Sequence, residues 1–204
     1  MEIAGYDKAE TSFQRSLSIT EKLNPEDPEI ATTLQNLGNV YCKIGALEKA
    51  EPLAQRAISI REKKLGPDHL NVANALSVLA VIYVQENAYL KALPLLERAL
   101  AITESKLGPW HPEVGYYLSL LGSVYSDIGN YAKAEAFYLR ALDIRERTLG
   151  PEHPDFALIQ NNLGVLYRRS GDARKADALN RSALMITEKK LGPSHPRVAT
   201  CLLN

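Results

Sequence analysis

The chain has 204 residues, of which 46% are hydrophobic and 24% charged, and its 24 basic residues balance its 24 acidic ones. This composition is typical of a chain with a hydrophobic core. A neutral chain lacks the net field that attracts nucleic acid or an anionic membrane, so we predict neither as a partner. The two cysteines, Cys42 and Cys201, are far apart and form no Cys-x-x-Cys motif, which favours a reducing, cytoplasmic location.

A six-residue segment recurs along the chain with a constant period. It reads LNPEDP at 23–28, LGPDHL at 65–70, LGPWHP at 107–112, LGPEHP at 149–154 and LGPSHP at 191–196. A fixed period of this length indicates a repeat array. We therefore predict a single array over residues 1–204. Its full repeats are 23–64, 65–106, 107–148 and 149–190, and its partial repeats are 1–22 (a second helix) and 191–204 (a first helix).

Each repeat is predicted to consist of two helices. In the first full repeat, Ile30, Leu34, Leu37 and Tyr41 recur at helical spacing and mark the buried face of a first helix. The second helix starts near Leu47 and ends in cations, which the helix dipole favours. Glycine accepts a positive φ and proline cannot continue a helix, so we interpret the hexamer as the turn between repeats.

The hexamer has no support as a catalytic or metal-binding motif. Four of its five copies carry a single histidine, and histidines one repeat apart along a stack do not converge on one ion. They are His69, His111, His153 and His195. The sequence also lacks the nucleophile-elbow, phosphate-loop and dinucleotide-binding motifs. We therefore predict that the protein is not an enzyme and that it uses no cofactor and no metal.

The pattern inside each repeat resembles a known family. A small residue at Gly38, a tyrosine at Tyr41 and the pair Ala50 and Ala57 resemble tetratricopeptide repeats, and the 42-residue period resembles their kinesin light chain type. The resemblance implies an all-α fold, a right-handed α-α superhelix (solenoid) of stacked helix pairs. It also implies that the first helices line a concave face, where a peptide from a partner protein binds.

Kinesin light chains also carry an Asn-Asn-Leu-Ala stretch that points asparagines into this groove. The match here is Asn161-Asn162-Leu163-Gly164, and the first full repeat keeps part of it as Gln35-Asn36. Ser77-Val78 and Ser119-Leu120 depart from the pattern. An asparagine amide pairs with both the N–H and the C=O of an extended peptide. The resemblance therefore predicts that Asn36, Asn161 and Asn162 contribute to the affinity for a peptide.

The same resemblance gives a set of groove-facing positions on the first helices. The predicted groove residues are Gln35, Asn36, Asn39, Lys43, Asn74, Ser77, Val78, Val81, Tyr116, Ser119, Leu120, Ser123, Asn161, Asn162, Val165 and Arg168, together with Thr32, Asp127, Leu158 and Arg169. The apolar members are expected to take apolar side chains of a ligand, and the cations acidic ones. The alternative is that the polar positions are simply solvated and that the arginines serve the helix dipole.

Trp110 stands where the other hexamers have Glu, Asp or Ser. It is either an exposed contact residue for a partner or folded back near Tyr116 or Tyr117, and we favour the folded-back interpretation.

The sequence predicts a non-catalytic scaffold that binds a partner protein or peptide in its concave groove. Two alternatives remain open: a structural or oligomerisation module, and a regulatory arm of a larger protein whose effector domain is absent here. The chain starts in a second helix and stops in a first helix without the polar caps that repeat arrays need. Self-association through these ends is therefore a further expectation, with Phe13, Leu17 and Ile19 exposed at one end and Val198, Leu202 and Leu203 at the other.

Overall fold

The computed structural model describes residues 2–24 and 27–204, without the side chains of residues 2–5 and 7. Pro25 and Glu26, which belong to the first hexamer, lie outside the described residues, as does Met1. The described residues form ten α-helices and no strand. They are α1 (Glu2–Leu23), α2 (Glu29–Lys43), α3 (Leu47–Leu65), α4 (Leu70–Gln85), α5 (Tyr89–Leu107), α6 (Pro112–Asp127), α7 (Tyr131–Leu149), α8 (Pro154–Ser170), α9 (Ala173–Leu191) and α10 (Pro196–Leu202). The predicted all-α class is confirmed.

The helices group into two compact units, Met1–Lys106 and Leu107–Asn204. In the first unit α2 packs against both α1 and α3, and α3 packs against α4. In the second unit α6 packs against α7, α7 against α8, α8 against α9 and α9 against α10. Helices that follow one another in sequence are therefore stacked together, which is the packing expected of a repeat array. Among the described helices, none has the length and hydropathy that crossing a bilayer requires.

Apolar side chains at helical spacing form the core of each unit. Ile30, Leu34 and Ala57 belong to one cluster of the first unit, and each is completely buried. Leu17 packs against this cluster, so its predicted exposure at the end of the array is wrong. Val198 is only 2% exposed, and the same correction applies to it. Both point inward because their helices still have a neighbour on that side.

The other four end residues differ in exposure. Phe13 is half-buried, whereas Ile19, Leu202 and Leu203 are exposed, with Leu203 the most exposed at 83%.

The four copies of the hexamer that are fully described form the predicted turn. Its glycines Gly66, Gly108, Gly150 and Gly192 have φ between +84° and +86°, the left-handed region that favours glycine. The histidine that follows takes a role the sequence analysis did not predict. Its Nδ1 accepts a hydrogen bond from the backbone N–H two residues later, which caps the next helix. These distances are 3.1 Å for His69, 3.2 Å for His111, and 3.1 Å for His153 and His195.

A tyrosine and a lysine at fixed positions explain part of the 42-residue register. The Tyr41 phenol donates to Glu10 of the preceding second helix at 2.9 Å, and the Tyr83 phenol donates to Glu51 at 2.8 Å. The Tyr167 phenol donates to Glu135 in the same way. A lysine ammonium lies over each tyrosine ring, at 4.7 to 5.3 Å from the ring centroid. These cation–π contacts join the two helices of one repeat, whereas the tyrosine–glutamate hydrogen bonds join a repeat to the one before it.

These hydrogen-bonded phenols predict a loss of stability at alkaline pH. Burial and the Glu135 carboxylate raise the pKa of Tyr167 to about 12, whereas a tyrosine in an unfolded chain ionises near pH 10. The protonated phenol therefore stabilises the fold below about pH 10, and this contribution is lost as the pH rises toward 12. In urea unfolding between pH 8 and 11.5, the free energy of unfolding should fall more steeply with pH for the parent than for Tyr167→Phe. Equal slopes for the two proteins would contradict this assignment.

Candidate functional site

The first helices of the second unit frame two adjoining clefts. The first, the anchor cleft, has a volume of about 350 Å³, and its lining is Tyr116, Ser119, Leu120, Ser123, Arg145, Asp155, Leu158, Ile159, Asn162 and Arg197. The second, the polar cleft, has a volume of about 240 Å³, and its lining is Ser123, Ser126, Asp127, Tyr138, Asn161, Asn162, Val165, Arg169, Thr200 and Asn204. The two clefts share Ser123 and Asn162, so they form one continuous surface.

Seven of the eight groove residues predicted for this unit line one or both clefts. The exception is Arg168, which is exposed and donates a hydrogen bond to the main-chain oxygen of Asn204. Its neighbour Arg169 lines the polar cleft instead. Leu158 and Asp127, two further predicted positions, also line the clefts.

The two predicted asparagines differ in their surroundings. Asn162 is half-buried and lies where the two clefts meet. Asn161 is only 3% exposed, and its Oδ1 accepts a hydrogen bond from Nδ2 of Asn204 at 3.2 Å. Asn162 is therefore the more accessible of the pair, because part of the hydrogen-bonding capacity of Asn161 serves an internal contact.

The anchor cleft combines apolar surface with charge. Tyr116 is 44% exposed, Leu158 is 38% exposed, and Leu120 is half-buried. Nη1 of Arg197 lies 3.1 Å from Oδ1 of Asp155, so these two charges neutralise each other.

Arg145 reaches the anchor cleft from the second helix α7. Its Nε lies 3.7 Å from the place that a Cβ on Gly115 would occupy, so its side chain crosses α6 at a glycine. The other repeats have Ala31, Ala73 and Ala157 at the position of Gly115. The glycine at this place is therefore particular to the third full repeat.

The walls of the polar cleft are mostly neutral. Nη1 of Arg169 lies 2.7 Å from Oδ1 of Asp127 and donates to Oγ of Ser126 at 3.2 Å. The Tyr138 phenol lies 2.9 Å from Oγ of Ser123. Burial raises the pKa of Tyr138, so the phenol stays protonated across the physiological range.

Two of the groove residues predicted in the first unit are engaged internally. Oε1 of Gln35 accepts a hydrogen bond from Arg61, which also donates to the main-chain oxygen of Asn71 at 3.0 Å. Ser77 is 6% exposed and donates to the main-chain oxygen of Asn74 at 2.8 Å. Ser77 is therefore a buried residue of α4, which differs from its predicted place on an accessible groove.

The remaining groove residues predicted in the first unit keep accessible surface. Asn36, Asn39, Val78 and Val81 are half-buried, and Lys43 and Asn74 are exposed, as is Thr32. The Lys43 ammonium lies 6.0 Å from the centroid of the Tyr6 ring, a long cation–π contact.

Trp110 is not folded onto Tyr116 or Tyr117, so the interpretation favoured from the sequence is wrong. The guanidinium of Arg147 lies 4.1 Å from the centroid of its ring, and the residue stays 49% exposed. In the next repeat the equivalent turn residue is Glu152, whose carboxylate pairs with Lys189 at 2.7 Å. A cation–π contact therefore replaces an ion pair between the turn and the end of the following second helix.

The sequence analysis missed several lining residues. Arg145 and Tyr138 belong to a second helix, and the groove was assigned to first helices only. The repeat period itself points to others: Asn204 stands one period after Asn162, and Arg197 stands one period after Asp155. Among the described residues, no three histidine, cysteine or acidic side chains are placed to hold a metal ion.

A family model for the tetratricopeptide repeat matches residues 5–63, 39–105 and 113–189. The chain belongs to the tetratricopeptide repeat family. Proteins of this family are scaffolds without catalytic activity that typically mediate protein–protein interaction. The predicted scaffold class is thereby confirmed.

Solved structures of other repeat proteins, one of them a putative kinesin light chain, share this fold. BtubC (BKLC) from P. vanneervenii aligns with a TM-score of 0.83 and 24% identity, over 97% of this chain and 80% of that one. A putative kinesin light chain of Podosopora anserina with nearly identical TPR-like repeats aligns with a TM-score of 0.77 and 24% identity, over 92% and 90% of the two chains. At this identity the likeness concerns the fold. No curated protein matches the chain in sequence.

Proposed function

We propose that the concave face of the Leu107–Asn204 unit binds an extended peptide segment of a partner protein, and that Arg145 binds an acidic side chain of that peptide. One observation carries this proposal. The Arg145 guanidinium lines the anchor cleft, and among the described residues it has no hydrogen-bond acceptor and no ion-pair partner. A guanidinium presents five N–H donors in a planar fork, which a carboxylate satisfies by a bidentate contact.

The equivalent arginine in the first unit supports this assignment. Arg61 stands two repeat periods before Arg145, and it is engaged by Gln35 and by the main-chain oxygen of Asn71. Ser119 stands at the position equivalent to Gln35, and its hydroxyl donates to the main-chain oxygen of Gly115 at 2.7 Å. The same arginine is therefore satisfied within the protein in one unit and left to a ligand in the other.

The rest of the anchor cleft suits the neighbouring parts of such a peptide. Tyr116, Leu120 and Leu158 supply apolar surface beside Arg145. The Asn162 amide has donors and an acceptor for the peptide backbone at the junction of the two clefts. We therefore expect the ligand to carry an acidic residue close to an apolar one.

Two finer expectations remain proposals beside this one. The groove of the first unit, with Asn36, Asn39, Val78 and Val81, is proposed as a peptide-binding surface of its own because these side chains keep accessible area. A cytoplasmic location is proposed because Cys42 and Cys201 are both free thiols, which is typical of a reducing compartment.

A peptide-display selection on the purified chain tests the proposal. The peptide selected most strongly is then synthesised, and calorimetry measures its affinity. Enriched peptides should share an aspartate or glutamate beside an apolar residue. Arg145→Ala should lower the affinity for the selected peptide about 10- to 100-fold, because a hydrogen bond to a charged group contributes about 1.5–3 kcal/mol. The affinity of Arg145→Lys should lie between those of the parent and of Arg145→Ala, since a lysine ammonium keeps the charge and lacks the planar fork of donors.

Arg181→Ala is the matched control. Arg181 is paired with Asp177 within α9, its side chain is 78% exposed, and it lines neither cleft. This variant should bind the selected peptide with the same affinity as the parent. The proposal fails if a folded chain enriches no peptide, or if Arg145→Ala binds as tightly as the parent.

A further inference from the structure

The polar cleft contains one side chain that does not come from the first-helix face. Its other lining residues belong to α6, α8 and α10 or follow α10, whereas Tyr138 belongs to the second helix α7. The equivalent positions in the other repeats hold Ala54, Leu96 and Asn180, none of which carries a phenol. This feature of the groove is therefore particular to one repeat of this chain.

Gly122 lets the tyrosine reach the cleft. The Tyr138 ring lies against the backbone of α6, and a Cβ built on Gly122 would stand 2.8 Å from two of its ring carbons. Tyr138 is only 3% exposed, yet its phenol is part of the cleft wall. The ring is thus fixed between α6 and α7, and only its hydroxyl is presented to the groove.

The direction of the hydrogen bonds at this hydroxyl follows from the available protons. Oγ of Ser123 donates to the main-chain oxygen of Ser119 at 3.1 Å, and a carbonyl oxygen only accepts. A serine hydroxyl has a single proton, so in its 2.9 Å contact with Tyr138 it is the acceptor. The Tyr138 phenol donates to Ser123, and the lone pairs of the phenol oxygen remain for another donor.

We infer that Tyr138 is a specificity-determining residue of the groove, and that its phenol oxygen accepts a hydrogen bond from a neutral amide or hydroxyl side chain of the bound peptide. This inference rests on the proposed peptide binding and adds a second ligand position to it. A neutral donor fits because the charges of the cleft are already paired, Arg169 with Asp127 at 2.7 Å. A ligand cation would meet Arg169 as well as Asp127.

The geometry also places this ligand position relative to the acidic one. The two clefts meet at Ser123 and Asn162, so a peptide held by Asn162 has neighbouring residues in each. The acidic residue lies at Arg145, and the amide or hydroxyl residue lies at Tyr138. The preferred ligand therefore has both residue types within a short segment.

The test is a double-mutant cycle between Tyr138→Phe and the ligand. The variant keeps the ring that packs on Gly122 and removes the hydroxyl. For a selected peptide with an asparagine, glutamine, serine or threonine at the polar cleft, affinity should fall about 5- to 30-fold, the effect of one lost hydrogen bond. For the same peptide with alanine at that residue, parent and variant should bind equally. A loss of the same size for both peptides overturns the inference, because it indicates a structural effect.

Tyr167→Phe is the control, since its phenol binds Glu135 and lines neither cleft. It should not change affinity for either peptide. Arg145→Ala distinguishes the proposed function from this inference. If that variant binds the peptide normally, Arg145 does not bind an acidic residue, and the double-mutant cycle with Tyr138→Phe still tests the hydrogen bond to Tyr138. If no peptide is enriched, N-acetyl-asparagine amide is titrated into protein with ¹³C-labelled tyrosine rings. The ring signal that is absent in Tyr138→Phe should shift, and a constant signal overturns the inference.

Discussion

Gly122→Ala is expected to lower the free energy of unfolding by about 1–2 kcal/mol, although alanine is the better helix former. The new Cβ would stand 2.8 Å from two carbons of the Tyr138 ring, well inside van der Waals contact. The ring has little freedom to move, because it is 3% exposed and its hydroxyl is bonded to Ser123. Overpacking costs about 1–3 kcal/mol, which outweighs the gain of up to about 1 kcal/mol from replacing a helical glycine.

Gly38→Ala provides the matched comparison, and urea unfolding of both variants is the measurement. Gly38 is the equivalent glycine of the first full repeat, and the nearest atom to its Cβ position is 3.8 Å away. This variant should be as stable as the parent or more stable by up to about 1 kcal/mol. A Gly122→Ala variant that gained the same stability would show that the tyrosine is not fixed against α6.

A second variant tests the cause directly. The repeat at 65–106 has Ala80 and Leu96 at the positions of Gly122 and Tyr138, and both are buried. The double variant Gly122→Ala with Tyr138→Leu copies that pair. It should be more stable than the sum of the two single changes predicts, because the leucine leaves room for the new methyl group. Additive effects would indicate that the two positions do not interact.

The regular part of this protein could be predicted from its sequence. The 42-residue period, the positive-φ glycines such as Gly66 and the first-helix positions around Ser119 and Asn162 all follow from patterns that each repeat shares. Such features are local, so one helical spacing and one turn decide them in every copy. The family assignment follows for the same reason.

The features particular to one repeat could not be predicted in this way. Arg145 and Tyr138 reach the groove from a second helix, and Tyr138 has room to do so because residue 122 of the neighbouring helix is a glycine. Such an arrangement depends on a pair of residues in two different helices, and helical periodicity does not report such pairs. Trp110 is a similar case, since its contact is with Arg147 at the end of the following second helix.

Ser119→Gln is expected to weaken peptide binding about 10- to 100-fold without destabilising the fold. In the first unit Gln35 accepts a hydrogen bond from Arg61, and glutamine at 119 would place the same acceptor beside Arg145. The guanidinium would then have an internal partner, and a ligand carboxylate would have to displace it. The loss should equal that of Arg145→Ala, although the arginine is still present. Calorimetry with the display-selected peptide measures the affinity, and urea unfolding measures the stability.

Ser119→Ala separates this competition from the loss of the serine itself. It removes the hydroxyl that donates to Gly115 and adds no acceptor, so its affinity should stay within about twofold of the parent, which is less than the effect of one hydrogen bond. Combining Ser119→Gln with Arg145→Ala should cost no more than either change alone, because both act on one guanidinium. Losses that simply add would mean that residue 119 contacts the peptide itself. If Ser119→Gln bound the peptide like the parent while Arg145→Ala did not, that result would show that glutamine at 119 does not engage Arg145. Residue 119 would then not explain why Arg61 has an internal partner and Arg145 has none among the described residues.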